Sequence, residues 1–176
     1  MPKKILIVID MQNDFVAGSL GTEEAKQIVD AVKNKILSYD KQDVFATRDT
    51  HNDDYLETQE GKNLPVKHCI LGTDGHKIIN ELITLIDEKS IFNKPTFGSV
   101  ELATKIKSIY DQNNGDIEIE ICGLCTDICV ISNALMLKAF MPEVKISLDE
   151  KCTAGVTPQL KDSAIKTMKS CQINIM

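Results

Sequence analysis

Asp10, Lys94 and Cys129 each come shortly after an apolar segment, and together they could carry out acyl transfer. A helix N-terminus and a nearby ammonium group both favour the thiolate form of a cysteine. An adjacent carboxylate can take the thiol proton, and backbone N–H groups at the same helix start can hold an oxyanion. Each residue alone also has an ordinary interpretation: Cys129 as a small core residue, Asp10 as a cap and Lys94 as a solvated charge.

A second group of polar residues lies in the segment 49–75, which is rich in Asp, Asn, Gly and Thr and shows no periodicity. Asp49 and His51 are followed by Glu60 and His68. Carboxylate and imidazole ligands together suit a divalent transition metal such as zinc, iron or manganese. The alternative is a polar loop whose histidines bond only to the backbone, although a loop of this length inside a compact domain is usually functional.

The elements that must position these residues alternate between strand-like and helix-like hydrophobic patterns. Strands are predicted over residues 5–9, 44–47, 90–92, 117–121, 144–148 and 173–176. Helices are predicted over residues 22–36, 78–86 and 126–140, and from Ser99 and Thr157 onward. This alternation predicts a single α/β domain over residues 1–176, with three α/β/α layers around a mostly parallel six-stranded sheet.

Parallel strands present their carboxyl ends at one edge of a sheet, and ligands bind there at the switch point of the strand order. Asp10, Lys94 and Cys129 follow three different predicted strands, so we expect them to converge at this edge. The same pattern puts Asp149 and Lys151 directly beyond the fifth strand.

Composition excludes several classes of protein. The chain has 176 residues, of which 43% are hydrophobic and 26% charged, an ordinary globular mixture. No apolar run approaches the roughly 18 residues of a membrane span, and a net charge of -6 without a basic cluster argues against nucleic acid as a partner. The N-terminal segment is predicted to be a strand rather than a signal peptide. We therefore expect a cytoplasmic protein whose cysteines stay free thiols.

Three motifs resemble those of the isochorismatase-like cysteine hydrolases. They are residues 10–15 (DMQNDF), 93–95 (NKP) and 123–130 (GLCTDICV), and their order and spacing cover nearly the full chain. Asp49 and His51, with the later His68, are similar to the nicotinamidase branch of this family. The resemblance implies the isochorismatase-like hydrolase fold and a cysteine amidohydrolase that acts on the C–N bond of a small amide.

The resemblance also implies catalytic roles. Cys129 would be the nucleophile, Asp10 its base and proton shuttle, and Lys94 the cation that orients the pair and stabilises charge. The backbone amides of Cys125 and Cys129 would form the oxyanion hole. A cis peptide bond, which is rare outside X–Pro sequences, is expected between Leu124 and Cys125.

For the second group, the resemblance implies a divalent metal site. Asp49, His51 and His68 would bind the metal, with zinc as the first choice and iron or manganese as alternatives. Glu60 is the predicted fourth ligand, and Glu57 is the alternative because family members vary here. Open coordination positions would take water and the pyridine nitrogen of the substrate.

The substrate pocket is expected to contain aromatic side chains. Phe15 matches a pocket-lining aromatic residue of the family, and Phe97 could form a second wall or instead anchor the following helix in the core. The chain has no Trp. Residues 64–67 (LPVK) stand where several nicotinamidases carry Trp or Phe to stack on the pyridine, which leaves another small amide open as the substrate.

The main hypothesis is hydrolysis of nicotinamide to nicotinate and ammonia through a thioester acyl-enzyme, a reaction of NAD salvage. The alternatives are a related amidohydrolase for another small amide, carbamoyl or ureido compound, an isochorismatase, or a non-catalytic binding module. The expected partner is a small-molecule amide, with no nucleic acid and no membrane. The resemblance also implies a homo-oligomer.

Overall fold

Six strands form one sheet in the computed structural model, which describes residues 1–176. The strands are β1 (Lys3–Ile9), β2 (Val44–Asp49), β3 (Ile91–Lys94), β4 (Ile117–Leu124), β5 (Lys145–Ala154) and β6 (Asn174–Ile175). Their order is β3-β2-β1-β4-β5-β6, and all five pairings are parallel. The chain adds strands on one side of β1 and then on the other, so the switch point lies between β1 and β4.

Helices cover both faces of this sheet. They are α1 (Asn13–Val16), α2 (Glu23–Gln27), α3 (Val29–Leu37), α4 (Gln59–Asn63), α5 (Asn80–Ile83), α6 (Val100–Gln112), α7 (Ile131–Phe140) and α8 (Pro158–Ser170). Shorter turns of 3₁₀ helix lie at Lys41–Asp43, Tyr55–Glu57 and Glu88–Ser90, and a π-helical turn spans Thr126–Val130. None of the helices combines the length and the apolar character required of a transmembrane helix. The predicted three-layer α/β/α fold is confirmed, with a sheet that is entirely rather than mostly parallel.

The central strand β1 is buried on both faces, as its continuous apolar sequence predicts. Ile5, Ile7 and Ile9 belong to a core shared with side chains of α6, α7 and α8. Leu6 and Val8 belong to a second core shared with α2, α3 and α5. Because side chains of β1 pack into both cores, the position of Asp10, which directly follows β1, is fixed.

Two of the predicted helix starts are confirmed by their capping geometry. Ser99 Oγ accepts the backbone N–H of Leu102 at 3.2 Å, and Thr157 Oγ1 accepts that of Leu160 at 3.2 Å. Pro158 follows Thr157 at the start of α8. Each cap satisfies one of the N–H groups that a helix N-terminus leaves without a partner.

Two helices differ from their predicted extents. The helix predicted over 22–36 is divided at Ile28 into α2 and α3. The helix predicted over 78–86 is reduced to α5. It begins only after Ile79, whose backbone N–H donates to the carbonyl oxygen of Met11, and beyond Ile83 the N–H groups of Leu85 and Ile86 bond to the third residue back rather than the fourth. A tighter turn at the C-terminal end therefore replaces the helix that the apolar periodicity predicts.

Strand β5 also corrects a prediction. It runs to Ala154, and its register with β4 shifts so that the residues between Leu148 and Thr153 bulge out. Asp149 and Lys151 consequently lie within this strand rather than beyond its end. Asp149 does not join the predicted convergence, because its Oδ2 pairs with Lys35 Nζ at 2.8 Å.

The helix predicted over 126–140 begins as the π-helical turn and becomes α-helical at α7.

Candidate active site and metal centre

Asp10, Lys94 and Cys129 lie together at the carboxyl ends of β1, β3 and β4, with Lys94 as the last residue of β3. Lys94 Nζ is 2.7 Å from Asp10 Oδ2 and 3.4 Å from Cys129 Sγ. The three residues are only 0%, 1% and 5% exposed, respectively. A buried ammonium this close to a carboxylate and a thiol can orient both groups and stabilise negative charge that develops on sulphur.

Asp10 is held by the strand that it follows and by the neighbouring strand. Its φ of 47° lies in the left-handed region, which Asp tolerates better than most residues. Thr47 Oγ1, on β2, donates to Asp10 Oδ1 at 2.6 Å and accepts the backbone N–H of Asp10 at 3.3 Å. One carboxyl oxygen is therefore fixed by Thr47 and the other by Lys94.

The end of β4 approaches β1 so closely that only glycine fits there. Gly123 has a φ of 111° and pairs with Ile9. A Cβ atom on Gly123 would lie 2.1 Å from the carbonyl oxygen of Ile9. This close approach at the switch point brings the π-helical turn, and with it Cys129, beside Asp10.

The chain before Cys129 presents a free backbone donor to the site. The peptide bond between Leu124 and Cys125 is cis, and this is the bond at which the family resemblance implies one. The N–H of Cys125 donates no hydrogen bond within the chain, whereas its carbonyl oxygen accepts bonds from the N–H groups of Ile128 and Val130. Cys125 and Cys129 line the same cavity.

Burial and neighbouring charges shift the pKa values of the three residues. Burial, partly offset by Lys94, raises the pKa of the Asp10 carboxyl above its ordinary value. Burial and the nearby Asp10 raise the pKa of the Cys129 thiol well above its ordinary value, although Lys94 acts in the opposite direction. Burial alone would lower the pKa of Lys94, but its acidic neighbours outweigh this and raise it. Lys94 therefore favours the thiolate, as the sequence predicts, but burial outweighs it in setting the pKa of the Cys129 thiol.

Asp49, His51, Glu60 and His68 form a second cluster beside the first. One ligand atom from each residue lies within 4.8 Å of all the others. His51 Nε2 and His68 Nε2 are 2.9 and 3.4 Å from Asp49 Oδ2. The same two nitrogens are 3.6 and 3.7 Å from Glu60 Oε1. Two imidazoles and two carboxylates that converge in this way are a suitable donor set for zinc, iron or manganese.

The orientation of His68 supports the fit of this donor set to a metal. Its Nδ1 is 2.8 Å from the carbonyl oxygen of Val66, so Nδ1 carries the proton and donates it. Nε2 then presents its lone pair to the cluster, which is the usual arrangement of a metal-binding imidazole. Glu57, the alternative fourth ligand, is exposed and lies outside the cluster, whereas Glu60 lies within it.

Sequence reasoning missed the role of Gln12. Its fully buried side chain accepts the backbone N–H of Asp49 at 2.7 Å and donates to the carbonyl oxygens of Asp49 and His76, each at 2.9 Å. Gln12 therefore fastens the end of β2 to the segment after β1. The position of Gln12, two residues after Asp10, could have indicated a role in the site. The positioning role of Thr47 could not be recognised from the sequence, because threonine is common in strands.

Both clusters open into one cavity of about 830 Å³. Phe15 and Phe97, the predicted aromatic walls, both line it. The Phe15 ring is buried, with its centroid 5.5 Å from that of His68. Phe97 is 46% exposed, which excludes the alternative role of a core anchor. Three carboxylates and neither Lys nor Arg line the cavity, so it disfavours an anionic ligand.

Comparisons with known proteins agree with this geometry. The isochorismatase domain family matches residues 4–176. The nicotinamidase/pyrazinamidase of Mycobacterium tuberculosis is 26% identical over 188 residues, which cover 98% of each chain. A crystal structure of the pyrazinamidase of Pyrococcus horikoshii in complex with zinc matches with a TM-score of 0.81 and 27% identity over 99% of each chain. The nicotinamidase/pyrazinamidase of Bacillus subtilis matches with a TM-score of 0.80 and 27% identity over 98% of each chain.

These findings confirm two expectations drawn from the sequence motifs. The family match extends over nearly the whole chain, as the order of the motifs predicts. The relatives confirm that the chain is an enzyme of the amidohydrolase class. The chain belongs to the isochorismatase family, in its nicotinamidase branch.

Proposed function

We propose that this chain hydrolyses nicotinamide to nicotinate and ammonia, with Cys129 as the nucleophile. The observation that carries the proposal is the position of Lys94. Its Nζ is 2.7 Å from Asp10, 3.4 Å from Cys129 and 3.4 Å from Asp49, and so links the catalytic group to the metal cluster. A thiol and a metal-binding cluster on one cavity suit an amide whose ring carries a ligating nitrogen. The nicotinamidase and pyrazinamidase relatives support this choice.

In the first half of the reaction, Asp10 takes the proton of Cys129 and the sulphur attacks the carbonyl carbon of the amide. Lys94 Nζ is 2.7 Å from Asp10 Oδ2 and 3.4 Å from Cys129 Sγ, and so holds the two groups side by side. The raised pKa of the Asp10 carboxyl makes it a stronger base than an exposed aspartate. Lys94 stabilises the charge on sulphur. The backbone N–H groups of Cys125 and Cys129 stabilise the oxyanion.

Collapse of the tetrahedral intermediate breaks the C–N bond. Asp10 gives its proton to the leaving nitrogen, so ammonia departs and a thioester on Cys129 remains. In the second half, Asp10 takes a proton from a water molecule that attacks the thioester carbon. The C–S bond then breaks, nicotinate forms, and the proton returns to the sulphur of Cys129.

The residues that would hold the metal are Asp49, His51, Glu60 and His68. When bound, the metal supplies a Lewis-acid contact for the pyridine nitrogen. Phe15 and Phe97 would line the ring and orient its carboxamide toward Cys129. We propose zinc as the metal, because the donor set suits zinc and the Pyrococcus relative was solved with zinc.

The second candidate function is the same reaction on another small amide, a carbamoyl compound or a ureido compound. It is favoured by residues 64–67 (LPVK), which offer no aromatic ring, and by Leu64, which lines the cavity. An isochorismatase activity is disfavoured, because the cavity offers no Lys or Arg to bind the two carboxylates of isochorismate. A non-catalytic module would leave the buried Lys94 beside the Cys129 thiol without a role.

Ammonia release from nicotinamide by zinc-reconstituted protein tests the proposed function. We expect release by the unaltered chain and by Cys171→Ala, which changes a partly buried cysteine outside the cavity. We expect no release by Cys129→Ala. Full activity of Cys129→Ala would overturn the proposed nucleophile. No release from nicotinamide together with release from a carbamoyl or ureido compound would favour the second candidate.

Several wider expectations stay predictions. Nicotinate formed by this reaction would feed NAD salvage. A cytoplasmic location, a homo-oligomeric assembly and a single domain over residues 1–176 are expected from the sequence and the family resemblance.

A further inference from the structure

The cavity has two halves of different character. The inner half contains the catalytic thiol and metal-binding groups such as Asp49 and His68, which are buried. The outer half is bounded by a set of partly or largely exposed apolar side chains, the apolar rim: Leu20, Leu64, Phe97, Ile128, Val156 and Leu160. Four of the six are 38–46% exposed. Large apolar side chains that cluster at the mouth of a cavity, rather than lying singly, indicate a binding surface.

The apolar rim surrounds the mouth from several directions. Leu64 directly follows α4, and Phe97 precedes α6. Ile128 comes from the π-helical turn, whereas Val156 and Leu160 come from the beginning of α8 and the residues before it. A group that enters the mouth would therefore be contacted on several sides. A partner protein with a flat surface would contact only the outer edge of the cavity mouth.

The cavity is also larger than nicotinamide requires. Its volume of about 830 Å³ lies in the upper part of the roughly 300–1,000 Å³ range of pockets for drug-sized ligands. Nicotinamide is a single ring with a carboxamide. With its carbonyl at Cys129 and its ring nitrogen at the metal cluster, the ring occupies the inner half and reaches no further than Phe97, which leaves the other members of the apolar rim without a contact.

We propose that the apolar rim is a subsite for an apolar substituent, and that the preferred substrate is a heteroaromatic amide carrying an alkyl or aryl group. This inference rests on the proposed function, because it keeps the same nucleophile and the same reaction. The substituent is neutral, since no Lys or Arg lines the cavity to pair with an anion. The rim is continuous with the catalytic cavity, which favours a part of the substrate over a second protein chain as its occupant.

A series of substituted amides tests this subsite in the zinc-reconstituted full chain. The measurement is kcat/KM for ammonia release from nicotinamide and from nicotinamides with a butyl or phenyl group at ring carbon 5, which is not adjacent to the ring nitrogen. We expect the best substituted amide to exceed nicotinamide by about tenfold, the discrimination that one apolar contact in a pocket typically gives. Leu160→Ala should lower the ratio of substituted to unsubstituted kcat/KM by about fivefold. Leu37→Ala, an exposed leucine on α3 outside the cavity, should leave that ratio unchanged.

The outcomes separate this inference from the proposed function. If nicotinamide is hydrolysed and no substituted amide has a higher kcat/KM, the subsite is overturned and the nicotinamidase proposal stands. If substituted amides are hydrolysed and nicotinamide is not, the subsite is supported and nicotinamide is overturned as the substrate. An equal loss of the ratio in Leu37→Ala and Leu160→Ala would overturn the subsite. The subsite would also be overturned if no substituted amide has a higher kcat/KM than nicotinamide and light scattering gives Leu160→Asp a lower molar mass than the unaltered chain. That result would assign the rim to contact with a second copy of the chain.

Discussion

Two lysines of this protein each lie between two carboxylates, in different surroundings. The first set, the Lys94 cluster, consists of Lys94, Asp10 and Asp49. The second set, the Lys35 cluster, consists of Lys35, Glu120 and Asp149. The side chains of the Lys94 cluster are at most 5% exposed, whereas those of the Lys35 cluster are 13–20% exposed. The Lys94 cluster also lies beside a thiol and a cavity.

The Lys35 cluster fastens α3 to the sheet. Lys35 Nζ is 2.6 Å from Glu120 Oε1 and 2.8 Å from Asp149 Oδ2, and Tyr39 Oη donates to Glu120 Oε2 at 2.6 Å. Each charged group is paired and keeps some contact with water. When ions are buried as completely as in the Lys94 cluster, the free energy of removing them from water normally exceeds the free energy gained from their mutual attraction. Deep burial beside a thiol, rather than the ion pairs themselves, therefore distinguishes the cluster that we propose to be functional.

Asp10→Asn should have the largest effect on activity. The substitution keeps the size of the side chain and removes the base, so we expect kcat for nicotinamide hydrolysis to fall by about 10²–10⁴-fold. The matched change in the Lys35 cluster, Asp149→Asn, should leave kcat unchanged. Steady-state ammonia release gives both values. A loss of less than tenfold in Asp10→Asn would show that another group accepts the thiol proton.

Lys94→Met should destabilise the fold as well as the reaction. It leaves Asp10 and Asp49 as buried carboxylates without their shared cation, and breaking such a pair costs about 3–5 kcal/mol of unfolding free energy. Urea unfolding of the metal-free protein at neutral pH measures this loss. Unchanged stability would mean that the buried carboxyls are neutral in the resting protein.

Removal of the metal should lower both the unfolding free energy and the rate of nicotinamide hydrolysis, and it should leave the Lys35 cluster unaffected. A ligand present at 100 times its Kd adds about 2.7 kcal/mol to the unfolding free energy, so chelation should remove stability of this order together with nicotinamide hydrolysis. Added zinc should restore both. The same shift is expected in a Lys35→Met background, because the two clusters share no residue. Unchanged stability and activity after chelation would contradict a metal site at Asp49, His51, Glu60 and His68.

Lys35→Met should be a purely structural change. Loss of its two charged hydrogen bonds should lower the unfolding free energy by about 1.5–3 kcal/mol. Because Lys35 lies outside the cavity, kcat for nicotinamide should stay within about twofold, less than the effect of losing a positioned catalytic group. A loss of activity that exceeds the loss of folded protein would break the distinction between the two clusters.

The pH dependence of stability should show the smallest effect. Burial opposes it, but Lys35 and the backbone N–H of Lys151 hold the pKa of Asp149 below its ordinary value. A lowered folded-state pKa contributes stability above the unfolded value of about 3.9 and loses it as the pH falls through the folded-state value. The stability difference between the unaltered chain and Asp149→Asn should therefore be constant near neutral pH and disappear in acid. A difference that persists in acid would contradict this origin.

Much of the fold and of the candidate site could be predicted because the signals are local. The continuous apolar run of β1 and the alternation with helices define the sheet, and its parallel order brings Asp10 and Lys94 to one edge. The spacing of Asp49 and His51, with later acidic and imidazole residues, indicates metal chemistry. Capping residues such as Ser99 mark helix starts without tertiary information.

What the sequence does not indicate depends on contacts between distant segments. The side chain of Gln12 bonds to residues far along the chain, and the alternation around Glu120 does not reveal that Lys35 covers it. The bulge that places Asp149 within β5 arises from pairing with β4. The burial of Cys129 is also tertiary, and it reverses the direction in which the pKa of the thiol was expected to move.

The proposed reaction requires that the Cys129 thiol attacks an amide and forms a thioester. This thioester can be detected by intact-protein mass spectrometry after rapid acid quenching of zinc-reconstituted protein with nicotinamide. We expect an added nicotinoyl group that peptide mapping places on Cys129, and no such adduct in Cys129→Ala. Ammonia release without any adduct on Cys129, at quenching times shorter than one turnover, would contradict it.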